Sequence, residues 1–203
     1  MTIVMRKDSR GNEHQLWAQR QAMSCAVASI WMARSKVFQM SFQESEWELA
    51  WRVYRHTVEG VAWRSSSSAG APTGPMSIDP GAHRANQNTF YNMFGSGGTY
   101  MRQVAKVIRS EGISANHVPN TGGTLTLNLS WLGETTPAIV AVGWWRQVNG
   151  QWQRNGGHAI VAARRIGSTV VWLDPAGGVL TELPNNGRYG NTGWIDEILY
   201  LSR

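Results

Sequence analysis

The chain of 203 residues contains a single cysteine. A thiolate attacks a carbonyl carbon far better than a thiol, and a free cysteine ionises only near pH 8.5 unless a cation or a helix N-terminus helps it. Cys25 follows Ser24, a good helix N-cap, and opens the run Cys25-Ala-Val-Ala-Ser-Ile-Trp-Met-Ala-Arg. A helix starting there would turn the positive end of its dipole toward the sulfur. Alone, a cysteine is more often a small buried hydrophobe, so the nucleophile reading depends on partners.

Two residues can supply them. His158 sits in Gly156-Gly-His-Ala-Ile-Val-Ala, where the glycines allow close approach of backbone or substrate and the apolar run reads as a buried strand with His158 as its first residue. His14, His56, His83 and His117 have no comparable setting. Asp174 ends the next apolar run, Val170-Val-Trp-Leu-Asp-Pro. If the two runs are neighbouring strands, the carboxylate can accept the imidazole N–H and hold its tautomer. An Asp-Pro turn opening a loop is the ordinary alternative for Asp174, and a turn histidine that satisfies local backbone is the alternative for His158. Acyl chemistry also needs donors for a developing oxyanion. Gln19, six positions before Cys25, is one candidate beside the Cys25 backbone N–H; Gln15 and Gln21 compete with it.

Taken together, Gln19-Arg-Gln-Ala-Met-Ser-Cys25-Ala-Val-Ala-Ser, Gly156-Gly-His158-Ala-Ile-Val and Leu173-Asp174-Pro-Ala-Gly-Gly resemble the papain-like cysteine peptidase superfamily. The order Cys-His-Asp is most similar to its bacterial branches, the double-glycine leader peptidases of bacteriocin exporters and the papain-like effector proteases; papain proper has Asn where this chain has Asp174. The resemblance implies an α+β fold in which a helical half carries Cys25 and packs on an antiparallel sheet carrying His158 and Asp174. It also implies Cys25 as nucleophile, His158 as base, Asp174 as orienter and Gln19 in the oxyanion hole. The substrate would be a protein or peptide, with no cofactor. The bacterial cytoplasm before export, followed by release into a target cell without a cleaved signal peptide, would be the location, in the role of effector or toxin.

The elements that must position these residues are visible in part. Residues 1–20 are polar and read as irregular. In the Cys25 helix, Val27, Ile30 and Trp31 fall on one face. Ser41-Phe-Gln-Glu44 matches a capping box and predicts a helix to about Arg55, with Leu49, Ala50, Val53 and Tyr54 inward. Residues 60–98, rich in Ser, Gly and Pro with one short helical turn near Phe90 to Phe94, read as a long loop or flap. Thr99 caps a third helix with Met101, Val104, Val107 and Ile108 inward and Gly112 as its stop. The period then changes. Pro137–Trp145, Gly157–Ala163, Thr169–Leu173 and Trp194–Leu201 read as strands, and Asn149-Gly150 as a hairpin turn. Helices followed by strands predict a single α+β domain over 1–203, with a helical half at about 15–115 and a sheet half at about 135–203.

Composition narrows the function classes. One cysteine excludes an internal disulfide, so packing alone must hold the fold. No signal peptide or membrane span is expected, since the longest apolar run is half of the roughly 20 residues a span needs. The net charge of +6 suits an acidic partner or inhibitor, but scattered arginines (Arg164-Arg165 is the tightest pair) predict no specific nucleic-acid binding. No ligand spacing for zinc and no phosphate loop is present. The eleven tryptophans read first as core and groove walls, second as a peptide- or glycan-binding surface. Three functions fit: a protease; a glutamine deamidase, transglutaminase-like enzyme or peptidoglycan amidase using the same thioester; or a non-enzymatic basic binding module with a buried cysteine.

Overall fold

The computed structural model describes residues 2–19, 24–46, 48–50, 52–53, 101–191 and 193–203. The expected 60–98 flap, the Thr99 cap and Tyr54 lie outside the described residues. Among the described residues, strands β3 (Ser114–Pro119), β4 (Ala138–Val148), β5 (Gln151–Ile166), β6 (Thr169–Asp174), β7 (Val179–Pro184), β8 (Arg188–Tyr189) and β9 (Gly193–Ser202) form one antiparallel sheet. Its order is β3-β9-β4-β5-β6-β7, with β8 also paired to β9. Helix α1 (Cys25–Phe38) and helix α2 (Met101–Ser110) lie on one face. The fold is therefore α+β, a Cys-bearing helical part on a sheet that carries His158 and Asp174.

The sheet's apolar runs are continuous because its central strands are buried on both faces. Ala159, Val161, Ala163, Val171, Leu173 and Leu199 pack with α1 and α2. Ile160, Ala162, Val170, Trp172 and Ile198 point the other way, under Leu127 and Leu132 of a covering segment. That segment is pinned where Asn185 accepts from the Leu127 N–H at 3.0 Å and donates to its carbonyl at 2.7 Å. Each fully buried Val, Leu or Ile among them stabilises the fold by about 1.5–3 kcal/mol.

Helix α1 is buried nearly all round, from Ala26 to Ser35, and not only along Val27, Ile30 and Trp31. A helix without a polar face belongs inside a core, and a second layer covers its outer side. Residues 2–18, expected to be irregular, form a hairpin of β1 (Thr2–Lys7) and β2 (Glu13–Ala18). Its turn is closed by Asp8, whose Oδ1 accepts from the N–H groups of Arg10 at 3.0 Å and Asn12 at 2.9 Å. β2 buries His14, Leu16 and Trp17, and Trp17 meets Trp31 edge-on at 5.3 Å.

The next helical stretch starts later than the Ser41 pattern predicts. Residues 41–45 are not helical, and backbone at 46, 48–50 and 52–53 is. The capping box is Ser45 with Glu48: Ser45 Oγ accepts from the Glu48 N–H at 3.1 Å, and Glu48 Oε2 accepts from the Ser45 N–H at 2.6 Å. Glu44 is drawn elsewhere, into ion pairs with Arg34 and Arg52, which also both pair with Glu111. Leu49, Ala50 and Val53 are buried as expected, as are Met101, Val104, Val107 and Ile108 of α2. Gly112, at φ +76°, lets the chain turn out of α2.

β4 and β5 meet at a two-residue turn, Asn149-Gly150, with φ of +52° and +79°. Both values are positive, the geometry that matches the twist of paired strands. β5 begins at Gln151, seven residues before His158. Residues 151–157 are exposed and those from Ala159 to Ala163 are buried. His158 is thus the point where an exposed ribbon enters the core, and not the first residue of its strand.

Candidate active site

Cys25 is the first residue of α1, preceded by the fully buried Ser24, which makes no side-chain cap bond to the helix. The first-turn N–H groups of α1 have no acceptor within the helix, and that of Ala26 is directed at the Cys25 sulfur. One turn further, Ser29 Oγ donates to the carbonyl oxygen of Ala159 at 2.9 Å. This bond links α1 to β5 at the residue next to His158. A second tether joins the chain entering α1 to the end of β6: the Gln19 N–H donates to the Pro175 carbonyl at 2.9 Å.

β5 and β6 are adjacent and antiparallel, with Val161 opposite Leu173, so the end of β6 runs beside the stretch that holds His158. His158 Nε2 and Asp174 Oδ1 are 2.6 Å apart, with side chains only 10% and 12% exposed. Asp174 Oδ1 also accepts from the Ala176 N–H at 2.8 Å, and Oδ2 accepts from the Tyr189 hydroxyl at 2.7 Å. Cys25 and the His158 ring are hydrogen-bonded. With Nε2 taken by Asp174, Nδ1 is the ring nitrogen left for the sulfur. The Trp144 ring lies over the imidazole, centroids 5.8 Å apart and planes at 36°.

The electrostatics follow from burial opposed by pairing. Burial pushes the Cys25 thiol up, but the hydrogen bond and positive charge of His158, with the N–H groups of Ala159 and Ala26, hold it below its ordinary value. Burial pushes His158 down; the Asp174 hydrogen bond, with the Cys25 hydrogen bond and both negative charges, raises it to about 9. Asp174, pushed up by burial, is held below its ordinary value by His158, Tyr189 and the Ala176 N–H. Both shifts favour a thiolate facing an imidazolium over the neutral pair.

Of the sequence-derived candidates, Cys25, His158 and Asp174 come together in one line. Gln19 lies beside them through its backbone bond to Pro175 and is half-buried. Gln15 does not join the site. It lines a separate cavity of about 300 Å³ with Ser35, Lys36 and Gln39 at the other end of α1. Gln21 is outside the described residues. Tyr189 and Trp144 were not foreseen. Tyr189 lies in a Gly- and Asn-rich connection that carries no periodic signal, and Trp144 stands inside an apolar run that marks it only as strand.

No protein-family model matches the chain, and no curated protein matches it. Among solved structures, the chain is similar to the peptidase domain of Streptococcus ComA, a bi-functional ABC transporter involved in a quorum-sensing pathway. The TM-score is 0.44 at 11% identity, covering 92% of this chain and 96% of that one. Likeness at this level assigns no activity.

Proposed function

We propose that this protein is a papain-like thiol hydrolase that cleaves amide bonds of a protein or peptide substrate. The observation that carries the reading is the line of side chains Cys25–His158–Asp174, brought by α1, β5 and β6 within hydrogen-bonding reach of one another.

In this reading His158 takes the proton of Cys25, and the thiolate forms a bond to the substrate carbonyl carbon. The Cys25 N–H and the Gln19 side chain receive the oxyanion. His158 returns its proton to the leaving nitrogen as the C–N bond breaks, leaving a thioester. Water, deprotonated by His158, attacks the thioester and releases the acid and the thiol. Asp174 keeps the ring oriented throughout.

The same thioester serves a glutamine deamidase or an acyltransferase, so products decide between them. Wild type and Cys25→Ala are incubated with a library of peptides. New peptide termini with wild type and none with Cys25→Ala support the protease. Ammonia release without new termini makes the enzyme a deamidase or transglutaminase. Neither product, with an unreactive cysteine, leaves the basic binding module.

A further inference from the structure

We propose that Tyr189 is a positioning residue of this site: its hydroxyl, bonded to the second oxygen of Asp174, fixes the carboxylate plane that orients His158. The inference rests on the thiol-hydrolase reading and extends it by one residue.

A carboxylate held through one oxygen can rotate about its Cβ–Cγ bond and carry the imidazole with it. Here both oxygens are engaged, and the donors come from three segments. Oδ1 takes His158 at 2.6 Å and the Ala176 N–H at 2.8 Å; Oδ2 takes Tyr189 at 2.7 Å. Tyr189 reaches Asp174 because the chain from β7 must pass β6, β5 and β4 to join β9. It crosses on the face away from α1, where Tyr189 packs with Trp172, rings edge-to-face at 5.6 Å. Cys25 and Tyr189 therefore approach the His158–Asp174 pair from opposite sides of the sheet.

The crossing segment is fixed in place. Gly187 has φ +80°, and a Cβ there would meet Leu125 O at 2.9 Å. Tyr189 pairs with Gly193, whose own Cβ would meet Tyr189 O at 2.8 Å. Arg188 lies over Trp194 at 3.9 Å. The hydroxyl is thus delivered by a segment closely packed at Gly187 and paired with β9 through Arg188 and Tyr189. Among the described titratable groups, those acting on His158 and Asp174 are Cys25 from α1, the two residues themselves and Tyr189 from β8.

The test compares alkylation of Cys25 by iodoacetate and by iodoacetamide as a function of pH, in wild type and Tyr189→Phe. An imidazolium beside the sulfur attracts the anionic reagent, so the rate ratio falls as His158 loses its proton. In wild type the midpoint is expected near pH 9. Losing the donor alone leaves more charge on the carboxylate facing the ring and would raise the midpoint, whereas losing the orientation weakens the His158–Asp174 bond that raises His158, so a midpoint below that of wild type is expected in Tyr189→Phe. In an Asp174→Asn background, adding Tyr189→Phe should produce no further drop. A wild-type midpoint near 9 that Tyr189→Phe leaves in place or raises overturns the role of Tyr189 alone. A ratio without pH dependence in wild type overturns this inference and the thiol-hydrolase reading together. If Tyr189→Phe does not fold, the wild-type protein supplies the readout by NMR. The Tyr189 hydroxyl proton should shift with the His158 titration, and a resonance insensitive to it overturns the role.

Discussion

Ser29 Oγ donates to the carbonyl of Ala159 at 2.9 Å, deep in the interface between α1 and β5. Ser29 is one helical turn after Cys25, and Ala159 is the neighbour of His158. A single buried bond therefore sets the helix that presents the thiol in register with the strand that presents the imidazole.

Removing it has two measurable effects. Ser29→Ala leaves that carbonyl short of a donor and should cost about 1–3 kcal/mol in urea unfolding. It should also slow alkylation of Cys25 at pH 6, because the thiol no longer meets the ring squarely. Loss of stability with unchanged alkylation would mean that Ser29 supports the fold and not the register.

Asp174→Asn keeps the shape and removes the charge. The imidazolium then loses its main support, and His158 falls from about 9 toward its ordinary 6.5. Alkylation of Cys25 at pH 6 should slow by roughly tenfold or more, each pKa unit being worth about 1.4 kcal/mol. An unchanged rate in a folded variant would remove Asp174 from the site.

The pH dependence of stability tests the pairing from another side. His158 is raised to about 9 from 6.5, so its contribution is complete below 6.5 and is lost as pH rises through 9. Cys25 is lowered from 9.0, so its contribution is complete above 9.0 and is lost as pH falls through its folded value. The two slopes oppose each other in wild type. Cys25→Ala leaves only the histidine contribution, itself reduced because the thiolate no longer helps to raise His158 and Asp174 acts alone, and denaturant midpoints of this variant should still decline above pH 6.5 more steeply than those of wild type. Parallel curves would contradict the pair. Asp174, lowered in the fold, loses its contribution only in acid, outside this window.

The ion-pair network below α1 makes a prediction unconnected with chemistry. Arg34 is 5% exposed and pairs with Glu44 and Glu111, themselves 10% and 13% exposed. Arg34→Met leaves two largely buried carboxylates to share Arg52 and should cost about 1–3 kcal/mol in urea unfolding. A loss under 1 kcal/mol would mean that water reaches the cluster.

What the amino-acid order reveals here depends on how each element is held. β4, β5, β6 and β9 were legible because burial on both faces demands continuous apolar runs. The Asn149-Gly150 turn was legible because its positive φ values demand those residue types. Cys25, His158 and Asp174 were legible because each stands at the edge of such a run. The hairpin of β1 and β2 was not, since most of its β1 side chains face solvent and only β2 carries buried residues. The capping box was misplaced by one turn because Ser41-Glu44 and Ser45-Glu48 carry the same local pattern. Only the distant Arg34, Arg52 and Glu111 decide between them. Tyr189 was invisible for a related reason: its partner is fifteen residues away, across a sheet crossing.

The central claim is an ion pair between Cys25 and His158, and the most direct measurement is the rate of Cys25 alkylation by iodoacetamide against pH in wild type and His158→Ala. The account predicts a rate already high near pH 6 in wild type and, in His158→Ala, a rate that rises only above about pH 8.5, where an unassisted thiol ionises. The same late rise in both proteins would contradict it.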